Sequence, residues 1–204
     1  MIDRRRLIQF GLGAGASLAA PTAAFASART LLQPRDQPQG RPLTIAALLD
    51  PARLEPRAIT LKNLHTDEAL DAVYWDAGSY VPDALEAVNH VLRDFRTGEV
   101  HRIDPRLLDV LADLRAATGS SLPYQVISGY RSPATNALLR ERSAEVARHS
   151  LHMDGWAIDL YLDDVALDRL HRAALELGRG GVGYYPVTRF VHIDVGPVRH
   201  WQGA

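Results

Sequence analysis

The sequence predicts an α+β domain: a small, mainly antiparallel sheet with helices packed on one face. Three observations predict it. Segments 156–162 and 190–195 alternate apolar and polar residues with the two-residue period of half-buried strands. Other segments repeat leucines at helical spacing, with Asp-Pro or Ser-Pro at their starts and glycine at their ends. Between Thr44 and Trp75, β-branched and aromatic residues alternate with polar ones around Asn63-Leu64-His65 and Asp71-Ala72, the pattern of a small hairpin.

The chain opens with Asp3-Arg4-Arg5-Arg6-Leu7-Ile8-Gln9, continues through a weakly apolar Gly/Ala stretch from Phe10 to Ala20, and reaches Ala24-Phe25-Ala26. A charged region, an apolar region and a small-x-small cleavage site in that order make residues 1–26 a secretory signal. The paired arginines followed by x-Leu-Ile-Gln look like a twin-arginine (Tat) signal, with Asp3 and Leu7 where Ser and Phe are commoner. A Sec signal or an uncleaved anchor is the alternative. The small residues from Gly11 onward and Pro21 suit a cleaved signal better than a permanent span. Export by the Tat machinery to the periplasm is expected, with no membrane association of the mature form. Residues 27–42 mix Pro, Gln and Arg without periodicity and read as a flexible leader; residues 43–204 form the domain.

Four helices are expected within it. The first starts at Pro82, carries Leu85, Val88, Leu92 and Phe95 at helical spacing, and is closed by Gly98. Asp104-Pro105 starts the second, with Leu107, Leu111 and Leu114 as its buried stripe and Gly119 as its stop. Ser132-Pro133 starts a third running toward Arg148. The fourth begins near Asp163-Asp164, buries Leu167, Leu170, Ala174 and Leu177, and ends at Gly178.

Strands are expected at 124–128, 156–162 and 190–195. Alternation puts Trp156, Ile158, Leu160 and Leu162 on one face of the second and Asp159 on the other; in the third, Phe190, His192 and Asp194 lie opposite Val191, Ile193 and Val195. Pairing these two strands sets Asp159 beside His192.

Composition narrows the chemistry. A net charge of −1 in 204 residues offers no basic surface for nucleic-acid phosphates. With no cysteine, any metal must be held by nitrogen and oxygen. His152 in a loop, Gly155 at a turn, Asp159 on the next strand and His192 on its neighbour make an N,N,O set with an open position, the arrangement of a catalytic zinc site. An aspartate among Ile158, Leu160, Ile193 and Val195 is costly to bury without a cation or hydrogen bonds.

At these residues the chain resembles the murein endopeptidase K-like family of the D-Ala-D-Ala carboxypeptidase metallopeptidases. The resemblance rests on Ser150-x-His152-x-x-Gly155-x-Ala157-x-Asp159, on Ser128-Gly129-Tyr130-Arg131-Ser132, and on the run from Gly180 to Pro186 followed by Phe190-Val191-His192-Ile193-Asp194. Asn63-Leu64-His65-Thr66 and Gly196-Pro197-Val198-Arg199-His200-Trp201 fit as well, so the likeness covers about Leu43 to Trp201. It implies a Hedgehog/DD-peptidase fold, zinc on His152, Asp159 and His192, and hydrolysis of the cross-links between peptidoglycan peptide stems. One position departs: the wider superfamily often carries a catalytic acid three residues before the second histidine, and Arg189 stands there.

Arg131 is expected to stabilise the oxyanion or hold a substrate carboxylate, and Tyr130 to line the pocket. Asp194 is the candidate base or partner of His192, with His200 in reserve. His149, beside Arg148, is expected to be exposed, with a place at the border of the cleft as the alternative, whereas His65, His90, His101 and His171 are given no role. A D-Ala carboxypeptidase and a non-catalytic, zinc-containing wall-binding module remain the alternatives.

Overall fold

The computed structural model describes residues 54–143 and 146–203; the expected signal, the leader and the start of the domain lie outside them. Strands β1 (Arg57–Asn63) and β2 (Ala69–Asp76) form the anticipated hairpin, extended by the two-residue β3 (Ser79–Tyr80). Then come α1 (Pro82–Val91), α2 (Pro105–Thr118), β4 (Tyr124–Ser128), α3 (Pro133–Arg142), a 3₁₀ turn at Leu151–Asp154, β5 (Ala157–Tyr161), α4 (Leu167–Leu177), β6 (Gly181–Tyr185), β7 (Phe190–Asp194) and β8 (Arg199–Gln202). All eight strands join one sheet in the order β3-β2-β1-β4-β5-β7-β6-β8. Only the β1–β4 and β6–β8 pairs are parallel, so the sheet is mainly antiparallel and the fold is α+β. No described helix is long and apolar enough to cross a membrane.

The helix starts follow from local chemistry. Asp104 accepts the Arg106 amide at the start of α2, and Ser132 accepts the Thr135 amide at the start of α3. Gly119 and Gly178, both left-handed, end α2 and α4.

Three boundaries differ from expectation. The first helix stops at Val91, although Leu92 and Phe95 continue its spacing. Asp94 accepts the Arg96 amide with its side chain and the Gly98 amide with its carbonyl, forming a turn that competes with the helix. Helix α3 ends at Arg142, not near Arg148, because Ser143 is extended. Helix α4 starts at Leu167, and Asp164, ahead of it, accepts the Ser120 hydroxyl. The glycine-rich β6 and the C-terminal β8 were not expected as strands.

Ile59, Leu61, Tyr124, Val126, Ile158, Leu160, Val191 and Ile193 point to one side of the sheet and are buried. Helix α2 covers them with Leu107, Leu108, Leu111 and Leu114, and α4 adds Leu170 and Ala174. Each such side chain contributes roughly 1.5–3 kcal/mol relative to exposure, which makes this face the rigid support for whatever the other face presents. That other face carries Ser128, Asp159 and His192.

Candidate metal centre

Register places Asp159 directly opposite His192 across β5 and β7. His152 reaches them from the 3₁₀ turn, and Gly155 redirects the chain from that turn into β5. Its φ is +69°, and a Cβ there would lie 2.2 Å from the carbonyl oxygen of Arg102, so only glycine fits. All three side chains are buried.

Their inward atoms form a triangle. His152 Nε2 lies 3.2 Å from Asp159 Oδ1 and 3.2 Å from His192 Nδ1, and His192 Nδ1 lies 2.9 Å from Asp159 Oδ1. The outward nitrogens are both engaged: His152 Nδ1 donates to the Gly129 carbonyl at 2.7 Å, and His192 Nε2 donates to Asp194 Oδ2 at 3.0 Å. Those bonds turn the remaining lone pair of each imidazole toward the carboxylate oxygen. In a tetrahedral centre with bonds of about 2.05 Å, ligand atoms stand about 3.3 Å apart, close to these edges. The residues therefore fit a metal, and among the described residues theirs is the one group with this convergence.

The electrostatics agree. Burial pushes His152 down to about 4, which keeps it neutral and able to ligate. Burial also opposes a charge on His192, but hydrogen bonds to Asp159 and Asp194 outweigh it and raise its pKa. Burial would raise Asp159, yet the close approach of His152, the Arg131 guanidinium and the contact with His192 hold it well below the usual carboxylate range. The centre thus attracts positive charge while its carboxylate stays ionised.

Arg131 donates through Nη2 to Asp159 Oδ2 and through Nε to Ser128 Oγ, and its backbone amide donates to the His152 carbonyl. It is thereby tied to two members of the triangle, leaving Asp159 Oδ1 directed inward.

The triangle lies in a cleft of about 710 Å³ that Arg131 also lines. One wall is aromatic. Trp201 stands 5.1 Å from the His192 ring and donates to the Tyr185 hydroxyl at 2.9 Å, and Tyr185 stacks on Phe190 at 4.3 Å. Gly183 permits the approach, since a Cβ there would sit 2.6 Å from the Trp201 ring.

The sequence pattern of the peptidoglycan L,D-endopeptidase MepK family matches residues 51–201. The chain belongs to this family. Among its relatives, the peptidoglycan L,D-endopeptidase MepK of Escherichia coli (strain K12) is 42% identical over 199 residues, covering 98% of this chain and 97% of the relative. The protein of the same name from Shigella flexneri shows the same identity and coverage. The probable peptidoglycan L,D-endopeptidase MepK of Haemophilus influenzae (strain ATCC 51907 / DSM 11121 / KW20 / Rd) is 39% identical over 151 residues, covering 74% of this chain and 81% of the relative. No solved structure matches the chain significantly. Membership in the MepK family makes the chain a member of a peptidase family.

Within that family frame, the structure brings together His152, Asp159, His192 and Arg131, and His149 lines the same cleft. Three other candidates are placed elsewhere. Asp194 is fully buried behind His192: Oδ1 accepts from the amides of Gly181 and Gly196 and from Arg199, and Oδ2 from His192 and Arg199. Burial would raise its carboxyl, but these donors hold it well below the ordinary value. It is the partner of His192 and not a base at the cleft. Tyr130 is a core residue whose hydroxyl donates to Glu99 at 2.7 Å and whose ring stacks on His101, so it does not line the cleft. His200 falls on the opposite face of β8 from Trp201, because strand neighbours alternate, and it is solvent-exposed. Arg189 occupies the β6–β7 turn with φ +61°, away from the triangle.

Sequence reasoning missed Trp201, Tyr185, Arg199, Arg96 and His65, all at the cleft. The alternation Arg199-His200-Trp201 could have revealed Trp201 had β8 been recognised as a strand. His65 and Arg96 lie in turns, where periodicity gives no signal.

Proposed function

We propose that the chain is an exported, zinc-dependent murein endopeptidase that hydrolyses peptide cross-links of peptidoglycan. The observation that carries the reading is the inward convergence of His152 Nε2, Asp159 Oδ1 and His192 Nδ1, with the far nitrogen of each imidazole already bonded. Nitrogen and oxygen donors in this ratio, with no thiolate in the chain, favour Zn²⁺ in a catalytic arrangement with an open position. Zinc bound there supplies Lewis acidity and a water acidified toward a pKa of about 7.

The chain's own residues do the rest. The Gly129 carbonyl and Asp194 hold the two imidazoles in the ligating tautomer. Arg131 holds Asp159 by one oxygen and sets a positive charge at the cleft wall, where it favours the negative charge that develops on the scissile carbonyl oxygen. Trp201, Tyr185 and Phe190 offer an apolar wall to the peptide stem and limit water around His192.

The relatives are named L,D-endopeptidases. That specificity, carried to this chain, selects the diaminopimelate–diaminopimelate cross-link over D-Ala–diaminopimelate, because the scissile carbonyl then belongs to an L centre. The signal at residues 1–26 supports delivery through the Tat machinery to the periplasm, where the substrate lies.

Digestion of purified sacculi with and without chelator, followed by separation of the muropeptides, tests this. Loss of diaminopimelate–diaminopimelate dimers, abolished by chelator and restored by Zn²⁺, is expected. Shortening of pentapeptides alone would establish a D-Ala carboxypeptidase instead, and binding without any change in products would establish a wall-binding module.

A further inference from the structure

The cleft is one-sided in charge. Three arginines line it, Arg96, Arg131 and Arg199, and the only carboxylate among its described lining residues is Asp159. Two of the arginines are spoken for. Arg131 pairs with Asp159, and Arg199 pairs with Asp194 at 2.7 Å and 3.1 Å.

Arg96 makes no ion pair among the described residues, yet it is not loose. Its guanidinium lies 4.2 Å from the centroid of the Phe95 ring, and His65 stacks on the same ring at 3.7 Å. Its backbone amide donates a hydrogen bond to the buried Asp94 carboxylate at 2.9 Å. Burial lowers its pKa, with Asp94 pulling the other way and Arg131 and Arg142 adding to the fall, and the Asp94 carboxylate is itself engaged by the Ser132 amide and hydroxyl and the Arg96 amide. A guanidinium oriented on an aromatic face and unpaired in a positive cleft is suited to a planar oxyanion from outside the protein.

The substrate class proposed above carries one at a fixed place. When the D-centre amine of diaminopimelate forms the cross-link, the carbon bearing the scissile nitrogen also bears a free carboxylate. We infer that Arg96 recognises this carboxylate on the leaving-amine side of the scissile bond, which makes it a specificity-determining residue. The inference rests on the endopeptidase reading. Peptidoglycan in which this carboxylate is amidated loses the contact, so the cleft distinguishes free from amidated cross-links.

The test uses two synthetic cross-linked peptide dimers that differ only in carboxylate or carboxamide at that carbon. Each is assayed for kcat/KM and, with the metal removed, for equilibrium binding to wild type and to Arg96→Met, which keeps an unbranched side chain over Phe95. Wild type should prefer the carboxylate on the order of 10-fold to 10²-fold in both measurements. Arg96→Met should abolish the preference, so that the two dimers are bound and cleaved alike, with zinc content as in wild type. Retention of the wild-type preference by Arg96→Met overturns the inference, as does equal binding of the two dimers by wild type. If wild type hydrolyses neither dimer, the endopeptidase reading falls, and the binding comparison still decides the role of Arg96.

Discussion

His192 Nε2 lies 3.0 Å from Asp194 Oδ2, and this bond aims Nδ1 of the same ring at Asp159 and His152. Replacing Asp194 with Ala leaves the ring free to rotate and to change tautomer. Zinc affinity should fall 10-fold to 100-fold, measured by competition with a chromophoric chelator. Unchanged affinity would show that the ring is positioned by its packing against Trp201 alone.

His152 supplies one corner of the triangle and its removal leaves two donors. Purified wild type should contain about one zinc per chain, and His152→Ala should retain little of it, as read by elemental analysis. Full occupancy in the variant would remove His152 from the ligand set.

Asp94 is buried and accepts the Ser132 amide, the Ser132 hydroxyl and the Arg96 amide, which fastens the segment that delivers Arg131. Burial opposes its charge, but hydrogen bonds from Thr135, Ser132 and Arg96 prevail and lower its pKa to about 2. A depressed folded-state pKa contributes stability above the unfolded value of about 4 and loses it as pH falls toward the folded value. Asp94→Asn should therefore cost about 2 kcal/mol in urea unfolding at pH 7. The gap between variant and wild type should shrink from pH 4 to pH 2.

Gly183 leaves room for the Trp201 ring beside His192. A methyl at that position displaces the indole from its bond with Tyr185. Gly183→Ala should keep zinc but raise KM for sacculus fragments several-fold, and Trp201→Ala should reproduce the effect without a clash. A wild-type KM in both variants would exclude the aromatic wall from substrate binding.

On the proposed Tat route, replacement of Arg4 and Arg5 by Lys should leave the precursor in the cytoplasm, because a twin-arginine signal is read by a receptor and not as bulk charge. Fractionation of cells expressing the variant checks this. Normal export in a strain lacking the Tat translocase would assign the signal to Sec.

Much of this arrangement was legible because it obeys short periods. Two-residue alternation in Asp159 and His192 put both on one sheet face, and Asp104-Pro105 and Ser132-Pro133 marked helix starts through capping chemistry that is local by nature. What escaped depends on partners distant in sequence. β6 is rich in glycine because Trp201 packs on Gly183 and the Asp194 and Arg199 side chains on Gly181, and β8 is a strand because β6 offers it an edge. With β8 unseen, His200 could not be assigned to a face. Tyr130 follows a glycine that would clash with the Leu92 carbonyl if it bore a side chain, and that close approach carries Tyr130 into the core. The helical spacing of Leu92 and Phe95 misled because a single buried carboxylate at Asp94 made a turn more favourable.

The opposition of Asp159 and His192 across β5 and β7 makes strand pairing itself a condition for bringing the triangle together. A slip of one residue would bury His192 among the helices and present Val191 or Ile193 to the cleft. No partly ordered form with a shifted β7 can assemble the triangle, so metal capture becomes a readout of correct pairing. In refolding from denaturant, the capacity to bind zinc should return in the same kinetic phase as the β5–β7 amide protection, and not in any earlier collapsed state.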